Sequence, residues 1–181
     1  MLEEVLQKCS WILGEEHPDM LTLMANLAVT YSDQGRTDEA AVLQEEVLQK
    51  RRRILGEEHP NTLTSMANLA NTYQEQGRTG EAAALEEEVL QKRRWILGEE
   101  HLDTLTSLAN LAITYSDQGR IGEAMGLEEE VLQKHRRILG EEHPNTLTSM
   151  ANLAVTYRDQ GRTGEAVALE EEVLQKRKQL G

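Results

Sequence analysis

The sequence predicts an all-α protein assembled as a one-dimensional array of two-helix repeats. Three observations carry that prediction. His17, His59, His101 and His143 recur every 42 residues, as do Tyr31, Tyr73, Tyr115 and Tyr157, and self-similarity at such a period marks a repeat architecture. Each period holds two apolar stripes at helical spacing. A glycine follows each stripe, Gly77 and Gly98 in the second unit, where a helix is expected to stop. Residues 57–92 and 141–176 differ at four of 36 places, and 57–98 and 99–140 at 11 of 42, so the repeat covers the whole chain with no linker.

The elements follow in order. Met1 aligns with Leu43, so residues 1–14 read as the end of a second helix, a partial repeat. Full units then occupy 15–56, 57–98, 99–140 and 141–181, giving nine expected helices. Neither end carries a polar capping helix, so the chain reads as a piece of a longer array whose last helix exposes an apolar face. In the second unit, Asn61 is the expected N-cap of the first helix (helix A), as are Asp19, Asp103 and Asn145 in theirs. Leu63, Met66, Leu69, Ala70 and Tyr73 share an arc of about 120° and form its buried side. Thr79 is the expected cap of the second helix (helix B), and Ile121 in its place costs the third unit about 1 kcal/mol of capping. Ala82, Leu85, Val89, Leu90, Ile96 and Leu97 form helix B's apolar side. Glu88 and Lys92 stand i,i+4 in the favourable order, as do Glu46/Lys50, Glu130/Lys134 and Glu172/Lys176.

Composition narrows the function. The chain has 181 residues and a net charge of −13, which argues against the basic stripe that sequence-independent nucleic-acid binding needs. No apolar run approaches the ~20 residues of a membrane-spanning helix. The start, Met1-Leu2-Glu3-Glu4, is not a signal peptide. The single cysteine, Cys9, rules out an internal disulfide framework and suggests a reducing, cytoplasmic compartment. The acidity is periodic: residues 57–98 carry seven acids and four bases.

Leu69, Ala70, Tyr73, Gly77, Glu81 and Ala82 place Leu-Ala-x-x-Tyr-x-x-x-Gly-x-x-x-Glu-Ala in the unit, and the sequence so resembles the tetratricopeptide repeat. The Leu55-Gly56-Glu57-Glu58-His59-Pro60 junction is similar to the 42-residue variety found in kinesin light chains and in arrays appended to fungal and bacterial nucleotide-binding receptors. Its wording is nearer the receptor-appended arrays. The resemblance implies an α-solenoid of antiparallel helix pairs, a right-handed superhelix with A helices on the concave face.

No catalytic, metal or cofactor constellation is expected. The Glu57-Glu58-His59 triplet and its copies sit in separate loops roughly 10 Å apart if A helices pack side by side, too far to share an ion at ~2 Å ligand distances. They read as turn-shaping residues, and the protein reads as a non-enzyme.

The candidate site is the stripe opposite the core arc of each A helix: Thr22, Asn26, Val29 and Asp33; Thr64, Asn68, Asn71 and Glu75; Thr106, Asn110, Ile113 and Asp117; Thr148, Asn152, Val155 and Asp159, with Arg158 beside the last. An Asn amide donates and accepts, which suits a peptide backbone, and in resembling solenoids Asn at these places holds a bound peptide's main chain. The alternative is a solvated face whose Asn residues bond neighbouring helices. Rows of Lys and Arg are missing, so the expected partner is a protein or peptide offering a neutral-to-basic extended segment, drawn by the acidic field. End-to-end self-association through uncapped repeat faces is the second reading; no nucleic acid and no membrane partner is expected.

Two further features stand out. Glu86 and Arg93 fall within about 40° of Ala82 on the helix-B wheel, inside the apolar arc where the family usually has an apolar residue at the Glu position. Glu128/His135 and Glu170/Arg177 repeat the pair. Either they form an inter-repeat ladder of Glu–Arg pairs, since an unpaired buried charge is costly, or they tilt out to water along their aliphatic stems. Trp11 and Trp95 share one repeat position, held by Arg53 and Arg137 elsewhere; the expectation is that a neighbouring helix half covers each, with a contact surface as the alternative.

Overall fold

The computed structural model describes Trp11 and residues 14–180. Among them lie eight α-helices and no strand: α1 (Pro18–Asp33), α2 (Thr37–Leu55), α3 (Pro60–Glu75), α4 (Thr79–Leu97), α5 (Leu102–Asp117), α6 (Ile121–Leu139), α7 (Pro144–Asp159) and α8 (Thr163–Leu180). Odd-numbered helices are the A helices and even-numbered ones the B helices. The partial repeat expected over 1–14, Cys9 included, lies outside the described residues apart from helical Trp11 and Gly14. The chain divides into two compact units, Met1–Lys92 and Arg93–Gly181.

The A helices begin earlier than the sequence predicts. His17, His59, His101 and His143, not the Asn and Asp two residues on, are the N-caps. His59 sits in extended backbone with ψ 137, and its Nδ1 accepts from the Asn61 N–H at 3.1 Å. Pro60 fills the first helical position, where a missing N–H costs nothing. The imidazole therefore does what a carboxylate or hydroxyl usually does at a cap. The ends follow expectation: Gly77 has φ 74, Arg78 N–H donates to Tyr73 O at 2.8 Å and Gly77 N–H to Gln74 O at 2.9 Å, the paired bonds of a Schellman stop.

At the start of helix B the expected threonine cap is replaced by a different device. Arg36 and Arg120 are the N-cap residues of α2 and α6 and make no side-chain capping bond. Thr37 and Ile121 are the first helical residues, so Ile121 forfeits no cap. The first turn is held instead by two-pronged guanidinium bonds: Arg78 to both oxygens of Glu81 at 2.6 and 2.7 Å, repeated by Arg36–Glu39, Arg120–Glu123 and Arg162–Glu165. Each of these arginines also lies over the preceding tyrosine ring, at 4.0, 3.7, 3.6 and 4.0 Å for Tyr31, Tyr73, Tyr115 and Tyr157.

The predicted A-helix arc is the core. In the first unit Leu63, Met66, Leu69, Ala70 and Tyr73 pack with Ala41, Leu48, Ala82 and Val89, while Met20, Leu21 and Met24 pack on Val47. In the second, Leu147, Met150 and Leu153 pack with Leu132 and Val173, and Tyr157 and Leu169 close over them. Burying each such side chain is worth about 1.5–3 kcal/mol. Ile96 and Leu97 depart from expectation, exposed by 43% and 39%. Helix B has 19 residues in α2, α4 and α6 against 16 in the A helices, so its last turn overruns its partner. The loop that follows is closed by buried Thr62, Thr104 and Thr146, whose hydroxyls donate to Gly56, Gly98 and Gly140 carbonyls at 2.8, 2.9 and 2.7 Å.

Candidate peptide-binding face

With one apolar side of each A helix in the core, the opposite stripe faces out. In the first unit this comprises α1 and α3, in the second α5 and α7. Thr22, Thr64, Thr106 and Thr148 are exposed, each hydroxyl donating to the carbonyl four residues earlier at 2.9–3.0 Å. Asn26 is exposed, whereas Asn68, Asn110 and Asn152 are half-buried. Val29, Ile113 and Val155 are 42%, 42% and 51% exposed, and Asn71 takes the same row in α3. Asp33, Glu75, Asp117 and Asp159 are all exposed. The stripes thus present hydroxyls, amides, an acidic row, and a row that is aliphatic at Val29, Ile113 and Val155 and an amide at Asn71. In the first unit the Ser32 hydroxyl donates to Glu75, tying α1 to α3.

Arg158 is drawn out of the stripe. Its guanidinium pairs with Glu170 of α8, leaving the α7 face without a committed cation.

Inside helix B's apolar arc, Arg51, Arg93 and His135 meet hydroxyls and carbonyls on the next A helix. Arg51 donates to Asn61 O at 3.1 Å and Ser65 Oγ at 2.7 Å. Arg93 donates to Asp103 O at 3.1 Å and Ser107 Oγ at 2.9 Å. His135 Nδ1 lies 2.8 Å from Ser149 Oγ. Burial holds all three side chains below their ordinary pKa. Glu86 and Glu128 are 3% and 7% exposed, and Glu128 bonds the Thr156 hydroxyl. The reason is geometric: Glu128 and His135 stand two turns apart, about 10 Å along the axis, so each meets a different turn of α7. Glu170 pairs with Arg158 and is exposed, as is Arg177.

A charge ladder does exist one helical face away. Arg52 reaches Glu88 at 3.2 Å, Lys92 holds the same Glu88 at 2.6 Å, and Lys92 also holds Glu57 at 2.9 Å. In the second unit Arg94, Glu130, Lys134 and Glu99 repeat this at 3.2, 2.6 and 2.9 Å. Arg136, Glu172, Lys176 and Glu141 repeat it again at 3.4, 3.3 and 3.1 Å. Burial pulls the Lys92 ammonium down, and Glu88 and Glu57 more than offset it, leaving it above its ordinary range. Sequence reading found the i,i+4 half of this network but missed the arginine from the preceding helix B. The signal was present, since Arg52, Arg94 and Arg136 recur at the 42-residue period. Tyr73 and Tyr157 add a further tie, donating to Glu45 and Glu129 at 2.8 and 2.9 Å.

Trp11 and Trp95 are 89% and 84% exposed, so no neighbouring helix half covers them. Arg53 and Arg137, at the same repeat position, bridge to Glu16 and Glu100 in the preceding loop; an indole has no charge to be drawn that way. Among the described residues no group of three or more His, Cys, Asp or Glu is placed to hold a metal, and no helix is long and apolar enough to cross a membrane.

The tetratricopeptide repeat matches at residues 20–61, 62–103 and 104–145, and again at 129–179. The chain belongs to the tetratricopeptide repeat family. A Podosopora anserina protein described as a kinesin light chain with nearly identical TPR-like repeats is 35% identical, over 99% of this chain and 85% of that one, with a TM-score of 0.86. A second crystal structure of that protein, with a methionine substitution, gives 34%, 99%, 84% and 0.89. BtubC (BKLC) from P. vanneervenii, 24% identical over 99% and 75% of the two chains with a TM-score of 0.80, shares the fold. No curated protein matches the chain. The fold is the tetratricopeptide-like α-solenoid, and its family is one of repeat scaffolds that generally serve protein–protein interaction.

Proposed function

We propose that this tetratricopeptide array is a non-catalytic scaffold whose A-helix faces bind an extended, neutral-to-basic segment of a partner protein. The observation that carries the reading is the composition of the outward stripe. Asn68, Asn110 and Asn152 are half-buried at one repeat position, able to donate to a peptide carbonyl and accept from a peptide N–H. Exposed Val29, Ile113 and Val155 offer apolar contact beside them. The acidic row and the net charge of −13 favour a basic rather than an acidic segment. One cysteine in 181 residues fits a reducing, cytoplasmic setting. The test is capture from a library of extended peptides by the whole chain, followed by Asn68→Ala and Asn110→Ala. Each substitution is expected to weaken captured peptides severalfold; unchanged binding of every captured peptide by both variants sinks the amide role.

Self-association is a second reading, favoured by a specific exposure. Leu174 and Val167 of α8 are 55% and 44% exposed, whereas Leu132, the repeat equivalent of Leu174, is 5% exposed beneath α7. A second copy offering an A helix of nearly the same sequence would cover that surface. Mass in solution measured against concentration decides it: a concentration-independent monomer removes the reading.

A further inference from the structure

Beneath the outward face of the second unit lies a carboxylate with one oxygen that the fold does not use. Glu128 of α6 is 7% exposed. It accepts from the Thr156 hydroxyl, and its Oε2 has no hydrogen-bond partner among the described residues. It lines a cavity of about 10 Å³ together with Ala109 of α5, Val131 of α6, and Ser149 and Asn152 of α7. Ser149 Oγ is already engaged by His135 and by Asn145 O. Asn152 belongs to the outward stripe and is half-buried, so the cavity joins the buried carboxylate to the proposed peptide face.

The chemistry of this pocket is narrow. A buried carboxylate with an empty acceptor position either takes a proton or meets a cation. Room for about one water-sized group admits an ammonium, a compact donor-only charge, and excludes a planar guanidinium. Gln44 of α2, at the equivalent position, is also buried with its Oε1 unpaired, and a neutral amide makes no demand for a counter-charge; Glu86 of α4, the other equivalent in the first unit, is buried too but does not line this cavity. Gln44 and Glu128 therefore differ in what they ask of a bound segment.

We propose that Glu128 and the cavity beside it form a lysine-reading subsite, which takes the ammonium of a lysine side chain reaching down past Asn152 from the segment bound on α5 and α7. The inference rests on the peptide-binding reading above and deepens it: the basic residue is lysine, and its place in the segment is fixed by the cavity beside Glu128. The lysine stem passes Ala109 and Asn152, and the ammonium donates to Oε2.

Two probes separate this subsite from the groove itself. The first is n-butylammonium chloride titrated into the whole chain, followed by the carbon-13 resonance of the Glu128 side-chain carboxyl, assigned by its loss in Glu128→Gln. A saturable shift absent with equimolar sodium chloride is expected. Matching responses to the two salts overturn the subsite, whatever peptides do. The second probe is any peptide captured from the library. Changing its lysine to norleucine, or Glu128 to Gln, is expected to raise Kd about tenfold, and the two changes together to cost no more than either alone. Changing lysine to arginine is expected to lose as much. Glu170→Gln, at the exposed repeat equivalent, is expected to change nothing. Peptides captured with no lysine requirement leave the groove reading standing and overturn the subsite. A saturable butylammonium shift without any captured peptide overturns the groove and identifies Glu128 as a site for a free ammonium ion.

Discussion

Replacing Glu128 by Gln is expected to stabilise the protein at neutral pH and to lose that advantage in acid. Burial lifts the Glu128 carboxyl above its usual range; the Thr156 bond opposes the lift and Asp159 adds to it. A group whose folded pKa is raised contributes stability that is fully present below its unfolded pKa, near 4.5, and lost as pH rises through the folded value. At pH 7 the ionised side chain is thus a liability, with one buried oxygen unpaired. Such an unsatisfied group costs about 1–3 kcal/mol, and the amide, which Gln44 shows to be accommodated at this repeat position, keeps the acceptor for Thr156 without the charge. The expected gain at pH 7 is about 1–3 kcal/mol, shrinking toward zero near pH 4. Urea melts of both proteins at closely spaced pH values from 4 to 8 measure the difference, and using the difference cancels the titration of every other carboxylate. A constant offset across that range, or a variant less stable at pH 7, refutes the reasoning.

Three other outcomes are expected. His59→Ala removes the cap of α3 and should cost about 1 kcal/mol in urea melts, while His59→Asp, which also offers an acceptor to the Asn61 N–H, should recover most of it. His135 is held below its ordinary pKa, first by burial and then by His143, so its contribution is present above pH 6.5 and is lost as pH falls through the lowered value. His135→Gln should flatten that part of the stability profile without removing the Ser149 partner. The fluorescence of Trp11 and Trp95 should be red-shifted and fully open to acrylamide in the monomer, and a blue shift with rising concentration would place an indole in a self-contact.

The fold was legible because its signals are local and repeated. A 42-residue period, an apolar arc at Leu63, Met66, Leu69 and Tyr73, and a glycine at each stop are properties of the chain alone, and each governs a local conformation. The site was legible only as a stripe. Which polar group pairs with which depends on the turn of the facing helix that comes opposite, and no periodicity within one helix states this. So the helical wheel sets Arg93 inside helix B's arc, but its partners, Ser107 and the Asp103 carbonyl, lie on α5. The caps failed for another reason: preference tables rank Asp, Asn, Ser and Thr first, and His59 competes only because Pro60 fixes the following backbone and leaves Nδ1 over the Asn61 N–H. The exposure of Trp95 follows from the length of helix B, which carries its last turn beyond its partner and is not written in the apolar pattern.

The same partners change what the net charge means. On the B side, Glu39, Glu81, Glu123 and Glu165 are matched by arginines in the same turn, and Glu88, Glu130 and Glu172 each sit between a lysine and an arginine. Those carboxylates add little to the field at a distance, because each has a cation within 4 Å. On the A side the partner of Glu75 is the neutral hydroxyl of Ser32, and Arg158, the basic side chain beside the α7 stripe, is engaged by Glu170 on α8. Carboxylates matched by cations on the B helices, set against exposed Asp33, Glu75 and Asp159 on the A helices, give the attraction a direction. Exposed Asp33, Glu75 and Asp159 act through water, where attraction at several ångströms is about 1 kcal/mol or less, so they can draw a basic segment but hardly choose its register. Glu128 differs in kind. Removed from water, it gains most from a cation that can follow it inside, and register is set by the residue for which that gain is available.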